Sequence, residues 1–194
     1  MLKAPRARFV KTRLARELGA EPAAVVYRRL VEHQMAAIPT DWPVEIHYAP
    51  ADAPAEMQQW LGSQYAYFPQ QGDDLGERLI HAIADVFTRG AIGVIVIGGD
   101  CPGLDEPCLR AAWSALDSAD VVLGPALDGG YYLIGLRRPA PHLFRGIPWS
   151  SSAVFEATTE RVRQAGLSLV LLSAKEDVDD LASWRRLHAI LPTE

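Results

Sequence analysis

Two short stretches of this sequence place a carboxylate among glycines: Gly98-Gly99-Asp100-Cys101-Pro102-Gly103-Leu104 and Leu127-Asp128-Gly129-Gly130-Tyr131. Glycines at 98 and 99 let the backbone turn sharply and come close to a ligand. A carboxylate held there can coordinate a divalent cation; Mg²⁺ takes one or two protein carboxylates and fills its shell with phosphate oxygens and water. The plainer reading is that Asp100 caps a turn with its side chain. Asp128-Gly129-Gly130 alone is an ordinary turn signal. Taken together, Asp100 and Asp128 make a two-carboxylate site for Mg²⁺ or Mn²⁺, which would act as a Lewis acid on a leaving diphosphate. Gly129 and Gly130 can also seat a sugar or phosphate against bare backbone.

Three further constellations bear on a nucleotide ligand. Lys3, Arg6, Arg8, Lys11, Arg13 and Arg16 crowd the opening residues of an otherwise acidic chain. They read either as a solvated face or as a phosphate clamp, with Lys a mobile point charge and Arg a bidentate fork. In Gln70–Leu79 two glycines, Gly72 and Gly76, flank Asp73 and Asp74 ahead of a helix, and at least one of these acids is expected to cap it. In Pro148–Ser152, hydroxyls including Ser150 stand at a helix start, and Trp149 either stacks on a sugar or base or belongs to the core. Glu156, Asp177 and Asp179 are candidate bases only by being acids, and Asp179 is read as a helix cap.

The elements that must position these groups alternate. Helices are expected over 12–19, from Pro22 through 38 with a stripe of Tyr27, Val31, Met35 and Ile38, and over 56–61, 75–88, 152–164 and 180–191. A further helix is expected after Asp105, with Pro107 in its first turn and Leu109, Ala112, Trp113 and Leu116 on its buried face. Strands are expected over 44–49, 65–68, 92–98, Asp120–Ala126, Tyr131–Leu136 and 167–172. The 92–98 run is apolar on both faces and β-branched, which predicts a central parallel strand covered on both sides. Alternation of this kind predicts a doubly wound α/β sheet, with ligands at the carboxyl ends of its strands.

The 194 residues suit one domain, 49% hydrophobic and 22% charged, an ordinary balance for a globular enzyme. A net charge of −5 argues against a nucleic-acid polymer as partner. Cys101 and Cys108 are too few and too close for a disulfide framework. There is no apolar run near the roughly 20 residues of a membrane span and no signal-peptide h-region, so a cytoplasmic location is expected. The sequence lacks GxxxxGK[ST], a GxGxxG after a strand and G-x-S-x-G, and its histidines show no metal-ligand spacing.

The order of these motifs resembles the bacterial DUF2064 family of GT-A-type glycosyltransferases, some of which are called arsenosugar-biosynthesis glycosyltransferases. KAPRARFVKTRL, QQGDDLGER, GGDCPGL, DGGYYLIGL and IPWSS match that family's blocks in sequence. More distantly the chain is similar to guanylyltransferases of molybdenum-cofactor and phospholactate metabolism and to sugar-phosphate nucleotidyltransferases; DVDDLASW is similar to their D-x-D-T-P-E-D-L. The resemblance implies a three-layer, Rossmann-like nucleotide-diphospho-sugar transferase fold over 1–194, with a mostly parallel central sheet. It implies Asp100 as metal anchor, with Asp128 beside it or on the acceptor side. It implies Lys3, Pro5, Lys11, Arg13, Gln71, Gly76 and Gly99 at the nucleotide, and Gly129, Gly130, Trp149 and Ser150 toward the acceptor.

The function expected on these grounds is metal-dependent glycosyl transfer from a nucleotide sugar to a small-molecule acceptor. The alternatives are nucleotidyl transfer from an NTP to a phosphorylated small molecule, with release of pyrophosphate, and a degenerate nucleotide-binding or assembly protein. Two departures stand out. Arg8 replaces the family's glycine, which is expected to reshape the phosphate loop. The apolar strand expected before Lys3 is reduced to Met1 and Leu2, so either the true start lies upstream or the sheet is rearranged. A sheet opened there would expose backbone and favour a homodimer.

Overall fold

The computed structural model describes residues 1–191. In chain order the elements are β1 (Leu2–Lys3), α1 (Thr12–Leu18), α2 (Ala20–Ala36), β2 (Glu45–Ala49), α3 (Pro54–Leu61), β3 (Ala66–Pro69), α4 (Leu75–Thr88) and β4 (Val94–Ile97). Then follow α5 (Glu106–Ala115), β5 (Val121–Pro125), β6 (Tyr131–Leu136), α6 (Val154–Gln164), β7 (Leu169–Leu171) and α7 (Leu181–Leu187). The chain divides into two compact units, one of 1–69, 98–106 and 176 onward, the other of 70–97 and 107–175.

The first unit carries the parallel sheet β1-β2-β3, with Leu2 opposite Tyr48 and Ile46 opposite Tyr67. Helix α2 serves two cores. Tyr27 and Val31 pack with Leu2, Ile46, Tyr48 and Met57, while Val26 and Leu30 pack with Leu14, Val178 and Leu191. That double burial explains why its apolar stripe is broad. Helix α2 closes at Ala36, so Ile38 lies beyond the stripe's last turn.

The second unit carries the sheet β4-β6-β5-β7, in which β5 and β7 are parallel and β6 is antiparallel to both its neighbours. Here the expectation for 92–98 is corrected in direction: β4 pairs antiparallel with β6, and its residues are half-buried. The cause lies in the Asp128–Gly130 turn. Gly129, at φ 91°, lets β6 fold back on β5 and take the place beside β4. Ile92, ahead of β4, is 82% exposed. On α5, Leu109 and Ala112 are buried, and Leu116 just beyond its end is buried too. Trp113, expected with them, is instead half-exposed and lies over Gly93.

Candidate functional site

In the first unit the sequence delivers a cation to Asp100. Lys11 stands just ahead of α1 in the left-handed backbone region, at φ 45° and ψ 48°. Its side chain is only 5% exposed, and Nζ donates to Asp100 Oδ2 at 3.0 Å while lying 3.7 Å from Asp179 Oδ1. Arg13, in the first turn of α1, donates from Nη1 to Asp179 Oδ2 at 3.3 Å. Both carboxylates keep more than a third of their side-chain surface open, at 37% and 39%.

The Asp100 loop is held from several sides. Its carbonyl accepts the Val178 amide at 2.9 Å. Gln34 Oε1, buried on α2, accepts the Cys101 amide at 3.3 Å, and His33 Nε2 donates to the Pro102 carbonyl at 3.0 Å. Gly99 is pressed against Leu2 and Val31, where a Cβ would sit 2.8 Å from each side chain. Glycine is therefore required for the close approach that presents Asp100.

The structure reassigns the acids that follow. Asp180, not Asp179, caps α7: its Oδ1 accepts the Ser183 amide at 2.8 Å, and Ser183 Oγ accepts the Asp180 amide in return. The Ser183 backbone amide, then its hydroxyl, hold the Asp180 carboxyl below the usual aspartate range. Relieved of capping, Asp179 turns to Lys11 and Arg13. Sequence reasoning missed this pairing. The signal was the spacing: in Asp180-x-x-Ser183 the capping acid is the one three before the serine.

The remaining first-unit positions divide. Lys3 is exposed, and its backbone amide donates to the Tyr27 hydroxyl at 2.9 Å, a hydroxyl whose pKa burial pushes up. Pro5 is buried. Arg6 is engaged with Glu56 at 2.8 Å and Asp52 at 3.1 Å. Arg8 adopts φ 72°, so the glycine-like backbone conformation is present with an arginine in place.

In the second unit, α4 grips the loop before it with successive side chains. His81 Nδ1 bonds the Gln71 carbonyl at 2.9 Å, Arg78 Nε donates to the Gly72 carbonyl at 2.9 Å, and Glu77 Oε2 accepts the Asp73 amide at 2.8 Å. Asp74 is the cap, accepting the Glu77 amide at 2.8 Å. Gln71 is left exposed on a fixed backbone. Gly76 is buried where a Cβ would stand 2.5 Å from the Phe144 carbonyl and 2.7 Å from Trp149 Nε1. Trp149 meets Tyr131 edge-on, with ring centroids 6.4 Å apart. Asp128 is exposed and accepts the Gly130 amide at 2.8 Å, while Gly129 lies against Ser152. Ser150 is exposed at φ 65°.

The structure thus gathers Lys11, Arg13, Asp100 and Asp179 in one unit, and Gln71, Gly76, Asp128, Gly129, Gly130, Trp149 and Ser150 in the other. Among the described residues no three His, Cys, Asp or Glu side chains converge as a metal cage. Two carboxylates sharing one ammonium are nonetheless a donor set that suits Mg²⁺ or Mn²⁺, which take few protein oxygens when phosphates supply the rest. The place already holds a positive charge, that of Lys11.

Comparison with known proteins supports the same fold. The profile of the family described as "Uncharacterized protein conserved in bacteria (DUF2064)" matches residues 33–151. The phosphoenolpyruvate guanylyltransferase of Chloroflexus aggregans (strain MD-66 / DSM 9485) is 29% identical over 196 residues, covering 97% of this chain and 94% of its own. A candidate nucleotide-diphospho-sugar transferase of Desulfovibrio desulfuricans G20 superposes with a TM-score of 0.89 at 35% identity, over 97% of this chain and 91% of that one. A Mycobacterium tuberculosis H37Rv protein solved in complex with manganese has a TM-score of 0.58 at 16% identity, over 96% and 94% of the two chains, a likeness of fold alone. A family match over more than half the chain, joined to the near-complete superposition on the Desulfovibrio structure, establishes a nucleotide-diphospho-sugar transferase fold and shows that this chain belongs to the DUF2064 family.

Proposed function

We propose that this transferase is a nucleotidyltransferase, moving a nucleoside monophosphate from an NTP to a phosphorylated small molecule and releasing pyrophosphate. The observation that carries the reading is the Lys11–Asp100–Asp179–Arg13 cluster, two cations and two half-open carboxylates in one place. Such a set suits a triphosphate with its counter-ion. The whole-length similarity to a guanylyltransferase supports nucleotidyl transfer over the glycosyl transfer that the motifs alone suggested.

Chemistry favours the same choice. A phosphomonoester is already largely ionised at neutral pH, so its oxygen attacks without a protein base. The new bond joins that oxygen to the α-phosphorus; the α–β bridging bond breaks, and its electron pair leaves with pyrophosphate. A base that the sequence never singled out is not required. In this reading Asp100 and Asp179 hold a divalent cation, which when bound would neutralise phosphate charge. Lys11 and Arg13 offset the charge that builds on the leaving group, and Gln34 and His33 keep the Asp100 loop in position. Gln71 and Gly76 are proposed for the base. Asp128, Gly129, Gly130, Trp149 and Ser150 are proposed for the acceptor.

The test is product analysis. Purified protein with Mg²⁺ is offered each NTP with phosphoenolpyruvate and other phosphorylated acids, and pyrophosphate is measured. Stoichiometric pyrophosphate is the expected result. Release of a nucleoside diphosphate from a nucleotide sugar, with no pyrophosphate from any NTP, would return the assignment to glycosyl transfer.

A further inference from the structure

Lys11 is read above as a phosphate ligand, yet its ammonium stands where the proposed cation would bind. Its ammonium lies 3.0 Å from Asp100 Oδ2 and 3.7 Å from Asp179 Oδ1. The stem is almost wholly buried, and the residue is delivered from a left-handed backbone position immediately ahead of α1. A divalent ion binding the same two oxygens would be repelled by that ammonium at contact distance. The two compete for the same oxygens.

We propose that Lys11 is a resident counter-ion that closes the Asp100–Asp179 site in the free protein, so that a metal ion enters only when Lys11 is drawn away onto the phosphates of an arriving nucleotide. Metal and nucleotide then bind synergistically. Each carries the partner the other needs, since the nucleotide relieves the metal of Lys11 and the metal leaves Lys11 free for the phosphates. Arg13 does not do this job: it is 65% exposed and reaches Asp179 alone. The inference rests on the reading of Asp100 and Asp179 as the cation site.

The experiment is Mn²⁺ binding followed by electron paramagnetic resonance, without any turnover, on the wild type, Lys11→Met and Arg13→Met. In the absence of nucleotide, Lys11→Met is expected to bind Mn²⁺ roughly tenfold or more tightly than the wild type. Arg13→Met, which removes the same charge from the same cluster, should change affinity about threefold or less. Adding a nucleoside diphosphate should raise Mn²⁺ affinity in the wild type and do so much less in Lys11→Met. Equal affinity in the wild type and Lys11→Met overturns the counter-ion role while leaving the cation site standing. An equal gain in Arg13→Met overturns it too, since bulk charge would then suffice. No Mn²⁺ binding in any of the three overturns the cation site itself. Should Lys11→Met fail to fold, ¹³C-dimethyl-lysine resonances of the wild type give the answer, with Lys175 as internal reference. The Lys11 signal is expected to move when Mg²⁺ and nucleoside diphosphate are added together and to stay in place with Mg²⁺ alone; a full shift with Mg²⁺ alone overturns the proposal.

Discussion

Lys11 and Asp100, 89 residues apart in sequence, meet at 3.0 Å with the lysine almost wholly buried and the aspartate more than a third exposed. The lysine's stem is sheltered, while its ammonium rests on a carboxylate that keeps one side open.

Asp100→Asn should therefore separate chemistry from folding. The Asp100 carbonyl still accepts the Val178 amide, the Gln34 and His33 bonds to the loop are untouched, and Lys11 retains Asp179. The loss of one half-exposed ion pair costs about 1 kcal/mol. Pyrophosphate release should fall on the order of 100-fold or more while circular dichroism is unchanged. Wild-type turnover would remove Asp100 from the site.

Arg8→Gly tests the loop ahead of α1. An L-residue in the left-handed region carries a cost of roughly 1–2 kcal/mol, offset in part by glycine's greater freedom in the unfolded chain. The variant should thus be as stable as the wild type or more so by up to about 1 kcal/mol. Arg8→Val, β-branched at φ 72°, should be clearly less stable in denaturant titration. A wild-type-like Val variant would mean that the loop does not need this conformation.

These two residues also show how far the sequence was legible. The motif order led to the fold, because each block is a local strand-turn or turn-helix whose glycines and caps have local causes; the span of α4 was readable to the residue, and its cap to one of two neighbouring acids, Asp73 or Asp74. The partnership of Asp100 with Asp179 was not, because it joins segments far apart in the chain and turns on which of two adjacent acids caps α7. The orientation of β4 was missed for a different reason. An apolar, β-branched run records that a strand is shielded, not which neighbour shields it, and the Asp128–Gly130 turn placed an antiparallel strand there.

Gly76→Ala should destabilise the second unit. The added methyl would meet the Phe144 carbonyl at 2.5 Å and Trp149 Nε1 at 2.7 Å, and the carbonyl belongs to backbone that cannot swing aside. Overpacking of this kind costs about 1–3 kcal/mol. The quantity to compare is the midpoint of chemical unfolding; an unchanged midpoint would show that α4 moves freely there. A change in Trp149 fluorescence should accompany the shift.

The cap at α7 links folding to acid. The Ser183 amide and hydroxyl hold the Asp180 carboxyl below the usual aspartate range, so the folded form binds the proton less readily than the unfolded one. That contribution is fully present above the unfolded value of about 4 and is lost as pH falls through the lower folded value. Asp180→Asn keeps a capping acceptor for the Ser183 amide but cannot titrate. Its stability near neutrality should be close to that of the wild type, and its decline below about pH 4 should be shallower. Asp120, held low by the Ser168 amide and hydroxyl and by Arg138, preserves part of the slope, and Asp120→Asn added to the first change should flatten it further. Denaturant midpoints measured from pH 3 to 7 give the answer, and an acid limb as steep in Asp180→Asn as in the wild type would show that the cap at α7 does not link folding to pH.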